Sequence, residues 1–272
     1  MRIAVLQMTS GIDPEANIEV IANALAEART NDAEILFTPE MSLLVDRDRS
    51  RAKHTIEAAT AKWWPRRIES AVADQRGIWL ALGSYPAVGP EGRWRNRSLV
   101  INPAGETHAT YDKMHMFDVD LDGGERWRES SAYEAGDEVV VVDDSPVGRL
   151  GLTVCYDLRF PALFDALGRR RCDVIAVPAA FTVPTGEAHW HVLLRARAIE
   201  ASAYVVAAAQ VGTHEDGRRT YGHSLVVDPW GGVLLDLGGE KPGLGFAEID
   251  LARIAEVRAQ LPSLANRREI AS

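Results

Sequence analysis

The sequence predicts an α/β fold in which two sheets pack face to face with helices outside, and three observations carry that expectation. Short, almost wholly apolar runs such as Ile35-Leu36-Phe37 and Asp173-Val-Ile-Ala-Val-Pro178 read as strands buried on both faces, as parallel sheets require. Segments of helical spacing alternate with these runs, so each crossover helix returns the chain to a parallel neighbour. The pattern occurs twice, βαβαβ followed by antiparallel strands in each half. No linker-like stretch separates the halves, and residues 1–272 read as a single domain.

Taken in order, Arg2 to Met8 is a strand stopped by the turn Thr9-Ser-Gly-Ile-Asp-Pro14, and Asn17 to Ala28 carries Ile18, Ile21 and Leu25 at helical spacing. Ile35–Phe37 follows and is broken by Pro39, which leaves Glu40 on a loop just past a strand end. Residues 61–76 predict a second helix and residues 78–84 a third strand. Asn96–Ile101 and Thr107–Tyr111 flank Asn102-Pro-Ala-Gly-Glu106 as a hairpin. Lys113 to Gly136 is then a long polar and aromatic loop that includes Glu129. Loops of that length and texture in a compact domain are usually functional. Strands are expected over Glu138–Val142 and over the apolar run that ends at Cys155. The second half continues with a helix over residues 162–167, the strand 173–178, the loop 179–186 and a helix over 187–201. Strands then begin at Tyr204, His223, Val233 and Gly245, and a last helix covers Leu251–Gln260.

Bulk properties narrow the function. Lys plus Arg number 30 against 39 Asp plus Glu, a net charge of −9 with a pI near 5.3. A field of that sign repels nucleic acid and anionic membrane surfaces, which leaves a small molecule or a protein as the expected partner. The apolar start of the chain is too short for a signal peptide, and no later stretch reaches membrane-spanning length, so a cytoplasmic location is expected. The two cysteines, Cys155 and Cys172, do not form a secreted disulfide framework and read as reduced thiols.

Cys155 is the residue around which the chemistry is read. A buried strand should give way there to a helix, with Leu163, Phe164 and Leu167 as its apolar face. The positive end of a helix dipole favours the thiolate, the attacking form of sulfur. Such a nucleophile needs a base and a group to hold developing negative charge. Glu40, Lys113 and Glu129 lie at strand ends or on the long loop. An ammonium would favour the thiolate, and a carboxylate in a dry pocket can hold a raised pKa suited to shuttling protons. Each residue has a plainer reading: Cys155 and Cys172 as core, Glu40 and Lys113 as solvated loop charges. A phosphatase reading of Cys155 fails because that chemistry wants an arginine where the sequence has Pro161. Glu187 and His191 stand at i, i+4 spacing on one helix, but no third ligand is evident and no metal site is expected. Arg195 and Arg197 fit either a substrate carboxylate or salt bridges to groups such as Glu200.

Thr38-Pro-Glu40-Met, Tyr111-Asp-Lys113-Met-His-Met-Phe-Asp118 and Gly151-Leu-Thr-Val-Cys155-Tyr-Asp-Leu-Arg-Phe-Pro161 resemble, in chain order, the three catalytic motifs of the nitrilase-like carbon–nitrogen hydrolase family. The similarity runs over the whole chain. Ala180-Phe-Thr-Val-Pro-Thr-Gly186, Ala188-His-Trp190, Leu194 to Glu200, Tyr221-Gly-His-Ser224 and Asp228-Pro-Trp-Gly231 are similar to the branch that contains deaminated glutathione amidase, with the omega-amidase branch as nearest competitor. The resemblance implies a four-layer αββα sandwich that commonly dimerises. It implies Cys155 as nucleophile, Glu40 as general base and acid, and Lys113 as the cation on the oxyanion. The Tyr156 backbone N–H would complete the oxyanion hole, Glu129 would support the lysine, and Phe181 and Thr182 would touch substrate.

The implied reaction is amide hydrolysis through a thioester, with no metal or organic cofactor. The branch implies deaminated glutathione as substrate, giving 2-oxoglutarate and cysteinylglycine. Other expectations stay open: an omega-amidase, nitrilase or carbamoylase of the same family, an idle interaction module, or redox sensing at Cys155. The sequence also departs from the family pattern. His191 stands where close relatives have Glu, Met114 and Met116 replace more usual residues around Lys113, and Ala135-Gly136 replaces a Pro-Gly. His191 and the two methionines are expected near the pocket.

Overall fold

The computed structural model describes residues 1–59, 63–120 and 126–268. The first half runs β1 (Arg2–Gln7), α1 (Pro14–Thr30), β2 (Ile35–Phe37), α2 (Arg49–Ala59), α3 (Trp64–Gln75), β3 (Trp79–Val88), β4 (Trp94–Ile101) and β5 (Thr107–Asp112). A small hairpin, β6 (Asp118–Asp120) and β7 (Arg126–Arg128), then leads to β8 (Val141–Ser145), β9 (Gly148–Leu152), α4 (Pro161–Arg169), β10 (Val174–Ala176) and α5 (Val183–Ala201). The chain finishes with β11 (Tyr204–Ala207), β12 (Val211–Thr213), β13 (Arg219–Tyr221), β14 (Leu225–Val227), β15 (Val233–Asp236), β16 (Gly243–Glu248) and α6 (Leu251–Gln260).

Two six-stranded sheets result, ordered β16-β1-β2-β3-β4-β5 and β8-β9-β10-β11-β14-β15. Their pairing follows one pattern. Three central strands are parallel, β1-β2-β3 in one sheet and β9-β10-β11 in the other. An antiparallel edge strand lies on one side and two antiparallel strands on the other. The repeated halves expected from the sequence are therefore real, and the fold is the αββα sandwich.

Side-chain alternation builds the layers, since successive strand residues point to opposite faces. Ile3, Val5, Ile35 and Phe37 share a core with Leu150, Leu152, Val174 and Val206 of the other sheet. Their neighbours Ala4, Leu6 and Leu36 face the other way, onto Ile18, Ile21 and Leu25 of α1 and Ile68 and Val72 of α3. Leu163, Phe164 and Leu167 of α4 and Leu194 and Ala198 of α5 cover the second sheet. Each large apolar side chain buried in this way contributes roughly 1.5–3 kcal/mol. The inner layer is thus held from both sides.

The structure corrects the sequence reading at several boundaries. Residues 46–59 contain α2, a largely polar helix that lacks a strong apolar stripe and was not expected. The strand expected over 138–142 lies at Val141–Ser145, where it pairs with β9. The long loop carries the β6-β7 hairpin and a 3₁₀ turn at Glu129–Ser131. The helix expected from residue 187 begins at Val183, because Pro184 in its first turn lacks only an N–H that has no helical partner there.

The turn after β2 is drawn tightly against β3. Gly83 N–H donates to Thr38 Oγ1, Ser42 N–H to the Ser84 carbonyl, and Met41 N–H to Ser84 Oγ. A Cβ added at Gly83 would sit 2.1 Å from the Thr38 carbonyl oxygen and 2.3 Å from that of Pro39. Gly83→Ala should therefore cost on the order of 1–3 kcal/mol by overpacking and disturb the turn that holds Glu40. Urea unfolding checks this, and an unchanged midpoint would remove Gly83 as the spacer.

Candidate active site

Cys155 sits past the end of β9, in a 3₁₀ turn over Cys155–Arg159 that precedes α4. It is 8% exposed, and its backbone occupies the left-handed region at φ 50°, unusual for a residue with a Cβ. The turn is pinned at both ends. Cys155 N–H donates to the Pro178 carbonyl at 2.8 Å, and the fully buried Asp157 accepts from Val154 N–H (2.9 Å), the Tyr111 hydroxyl (2.7 Å) and His115 N–H (3.0 Å). The expected helix dipole is not what governs the thiol, because a short 3₁₀ turn separates it from α4. Burial pushes the Cys155 thiol well above its ordinary pKa, the Glu40 charge adds to that rise, and Lys113 opposes it. The resting sulfur is a protonated thiol, not the thiolate expected from the sequence.

Glu40, Lys113 and Glu129 meet beside it. Lys113 Nζ is buried and donates to Glu40 Oε1 at 2.9 Å and to the two Glu129 oxygens at 3.1 and 2.9 Å. Asn96 Nδ2 bridges the carboxylates, 2.9 Å from Glu40 Oε1 and 3.2 Å from Glu129 Oε1. Ala180 N–H donates to Glu40 Oε2 at 3.0 Å, Phe117 N–H donates to Glu129 Oε2 at 2.7 Å, and the Cys155 thiol hydrogen-bonds to Glu40.

Burial alone raises the pKa of Glu40, but the Lys113 charge and the bonds from Cys155, Lys113 and Asn96 outweigh it and leave the carboxyl below its ordinary value. This reverses the raised carboxyl expected from the sequence. Burial likewise depresses Lys113, yet Glu129, Glu40 and Cys155 overcome it and hold the ammonium well above its ordinary pKa. At neutral pH the site therefore holds a charged ammonium, an ionised Glu40 and a neutral thiol. A base, an acid awaiting it and a fixed cation stand in contact.

The group lies at the base of a cavity of about 550 Å³. Phe181 and Thr182 line it, and so does Tyr156, whose ring meets Phe117 edge-on at 5.0 Å. His191, Met114 and Met116, expected near the pocket, do not line it. Arg195 and Arg197 are structural: Arg195 donates to the Gly231 carbonyl, and Arg197 to the Leu158 carbonyl and Glu200. The sequence reading missed Asn96, Asp157 and the cations of the rim. Arg49, Arg128, Arg159 and Arg218 all face the cavity, Arg159 over Phe181 and Arg218 over Trp127. Asp157 follows Cys155 and Tyr156 directly, so its place was visible while its buried partners were not.

The carbon–nitrogen hydrolase family model matches residues 2–259. The chain belongs to the carbon–nitrogen hydrolase family. This hydrolase is 40% identical over 276 residues to the deaminated glutathione amidase of Yersinia enterocolitica, a match covering 99% of this chain and 94% of that one. It is also 40% identical to the nitrilase and fragile histidine triad fusion protein NitFhit of Caenorhabditis elegans, of whose length it spans 60%. The crystal structure of NitFhit superposes with a TM-score of 0.91 at 39% identity, covering 98% of this chain and 65% of that one. An amidase from Nesterenkonia sp. AN1, solved with the acetamide moiety of fluoroacetamide added covalently to its active-site cysteine, superposes at a TM-score of 0.80 with 28% identity, covering 98% of this chain and 94% of that one.

The charge cluster makes stability pH-dependent. Glu40, with a lowered folded pKa, contributes stability that is complete above the unfolded carboxyl value and lost as pH falls through the folded one. Lys113, with a raised folded pKa, contributes below its unfolded value and loses that contribution only as pH rises through the folded one. Lys113→Met strands the buried Glu40 and the partly buried Glu129 carboxylates and should cost about 3–5 kcal/mol at neutral pH. That cost should shrink in acid, where protonated carboxyls need no counterion. Urea unfolding of both proteins across pH checks it, and a pH-independent difference would contradict the charge account.

Proposed function

We propose that this carbon–nitrogen hydrolase is a cysteine-dependent amidase in which Cys155 is the nucleophile, Glu40 the general base and acid, and Lys113 the oxyanion-binding cation. The observation that carries the reading is that all three side chains line one cavity, with Lys113 Nζ 2.9 Å from Glu40 Oε1. Glu40 takes the thiol proton as sulfur adds to the amide carbonyl, which suits an ionised carboxylate hydrogen-bonded to a neutral thiol. The oxyanion is held by Lys113 Nζ and the Tyr156 N–H. Glu40 then gives its proton to the departing amine, leaving a thioester. Water replaces the amine, Glu40 takes its proton, and collapse of the second tetrahedral intermediate returns the thiol and releases a carboxylic acid. Glu129 and Asn96 keep Lys113 and Glu40 in place. Every proton moved in this cycle passes through Glu40, and no step of it calls for a metal or organic cofactor.

Deaminated glutathione is the substrate this reading favours. It bears a carboxylate at each end of the molecule, and the cavity mouth carries several arginines. Among the described residues Arg159 forms no ion pair with a carboxylate; its Nη1 lies 3.2 Å from His189 Nδ1. Arg159 is therefore available to a substrate carboxylate, with Phe181 and Thr182 as its neighbours on the cavity wall. The relatives named as deaminated glutathione amidases support the same choice over 2-oxoglutaramate. A single-domain cytoplasmic enzyme that assembles as a homodimer completes the proposal.

Purified protein should release cysteinylglycine from deaminated glutathione, with 2-oxoglutaramate a poorer substrate. Cys155→Ala should lose turnover by about 10³-fold or more, as when other nucleophiles are removed. Arg159→Ala should raise KM for the acidic substrate by about 10- to 100-fold, the worth of a hydrogen bond to a charged group. Full turnover in Cys155→Ala would overturn the mechanism, and cleavage of 2-oxoglutaramate alone would overturn the substrate.

A further inference from the structure

Outside the set of residues that line the cavity, His191 in the middle of α5, His223 just before β14 and Asp236 at the end of β15 converge. One side-chain ligand atom from each lies within 4.8 Å of the others. We propose that these three residues bind a transition-metal ion of the Zn²⁺ type. The sequence offers only Glu187 as a helical partner for His191. The fold supplies the two further ligands from segments distant in the chain.

The geometry is close to what such an ion requires. Asp236 Oδ2 lies 3.0 Å from His191 Nε2, and Asp236 Oδ1 lies 2.9 Å from His223 Nδ1. Those separations approach the ligand–ligand edge of a tetrahedral site whose bonds are about 2.0–2.2 Å. An ion entering there replaces the two N–H···O contacts with N–metal and O–metal bonds. Each neutral ring then carries its remaining proton on its other nitrogen, Nδ1 of His191 and Nε2 of His223, and any second proton leaves to solvent. Two imidazoles and a carboxylate suit Zn²⁺, Co²⁺ or Ni²⁺ better than Mg²⁺ or Ca²⁺, which take oxygen ligands.

The ligands are also held in advance. His223 occupies the left-handed region at φ 55°, fixed by its N–H to the Gly238 carbonyl at 2.8 Å and by Trp190 Nε1 to its own carbonyl at 2.7 Å. Its ring stacks on Tyr221 at 4.5 Å. Gly238 N–H holds Asp236 Oδ1 at 2.9 Å. A strained backbone, a stacked ring and an oriented carboxylate form the supporting layer on which metal sites depend. The three side chains are between 25% and 35% exposed, so an ion can enter from solvent and water can complete its coordination. Tyr221 N–H donates to the Phe181 carbonyl, so the bound ion would brace the back of the cavity wall.

The test uses the full chain with Cys155 alkylated, so that its thiol cannot take the metal. Titration calorimetry with Zn²⁺ should show about one saturable site per chain, a rise in Tm, and no response to Mg²⁺. His191→Gln and Asp236→Asn, each checked for native circular dichroism, should weaken Zn²⁺ binding at least about tenfold, the effect of losing one first-rank ligand or its support. Co²⁺ in place of Zn²⁺ should give the intense visible absorption of a four-coordinate site. Absence of saturable Zn²⁺ binding in the alkylated protein, or binding undiminished in both variants, would overturn the proposal and leave the cluster a histidine–aspartate hydrogen-bond network.

Discussion

An ammonium group buried to 2% exposure sets the terms for the rest of the molecule. Lys113 can stay charged there only between Glu40 and Glu129, because the cost of removing a lone charge from water is several kcal/mol. Each partner arrives on a different element: Glu40 past β2, Lys113 past β5 and Glu129 after β7. The ion cluster therefore forms only when these segments are in register. The same cluster lowers Glu40, while burial and the Glu40 charge leave the neighbouring thiol protonated.

Holding that cluster rigid requires the two sheets to be tied together, and buried polar groups do this at the ends of the sandwich. Gln210 Nε2 donates to the Glu40 carbonyl at 2.9 Å and to Ser10 Oγ at 2.7 Å, while Gln7 accepts from Ser224 N–H and donates to the Gly238 carbonyl. Tyr111 of the first sheet reaches Asp157 in the turn that carries Cys155. Apolar packing between the sheets is strong but does not select a single sliding position. These hydrogen bonds do, since each one broken would strand a buried polar group.

Charge is organised against the trend of the whole chain. The protein carries −9, yet several arginines line the cavity, and a concave low-dielectric wall concentrates the local field. These arginines oppose the overall negative charge locally. The stacking of Arg159 and Arg218 on aromatic rings restricts the motion of their side chains.

The sequence by itself determined the central strands and the repeated halves, because apolar runs ending in turn signals mark buried strands, and it singled out Glu40, Lys113, Glu129 and Cys155 as candidates through their motif resemblance. Two-sided burial leaves its mark in composition at every position of β2 and β10, so the central strands were legible. The polar helix α2 was not, since its amphipathic pattern is weak. Only the tertiary structure decided the protonation states, because the pKa of Glu40 and of Cys155 depends on which charge lies a few ångströms away. It alone joined His191 to His223 and Asp236, and Asn96 to two carboxylates. Such contacts depend on distance in space, and sequence spacing carries that information only within one helix or one turn.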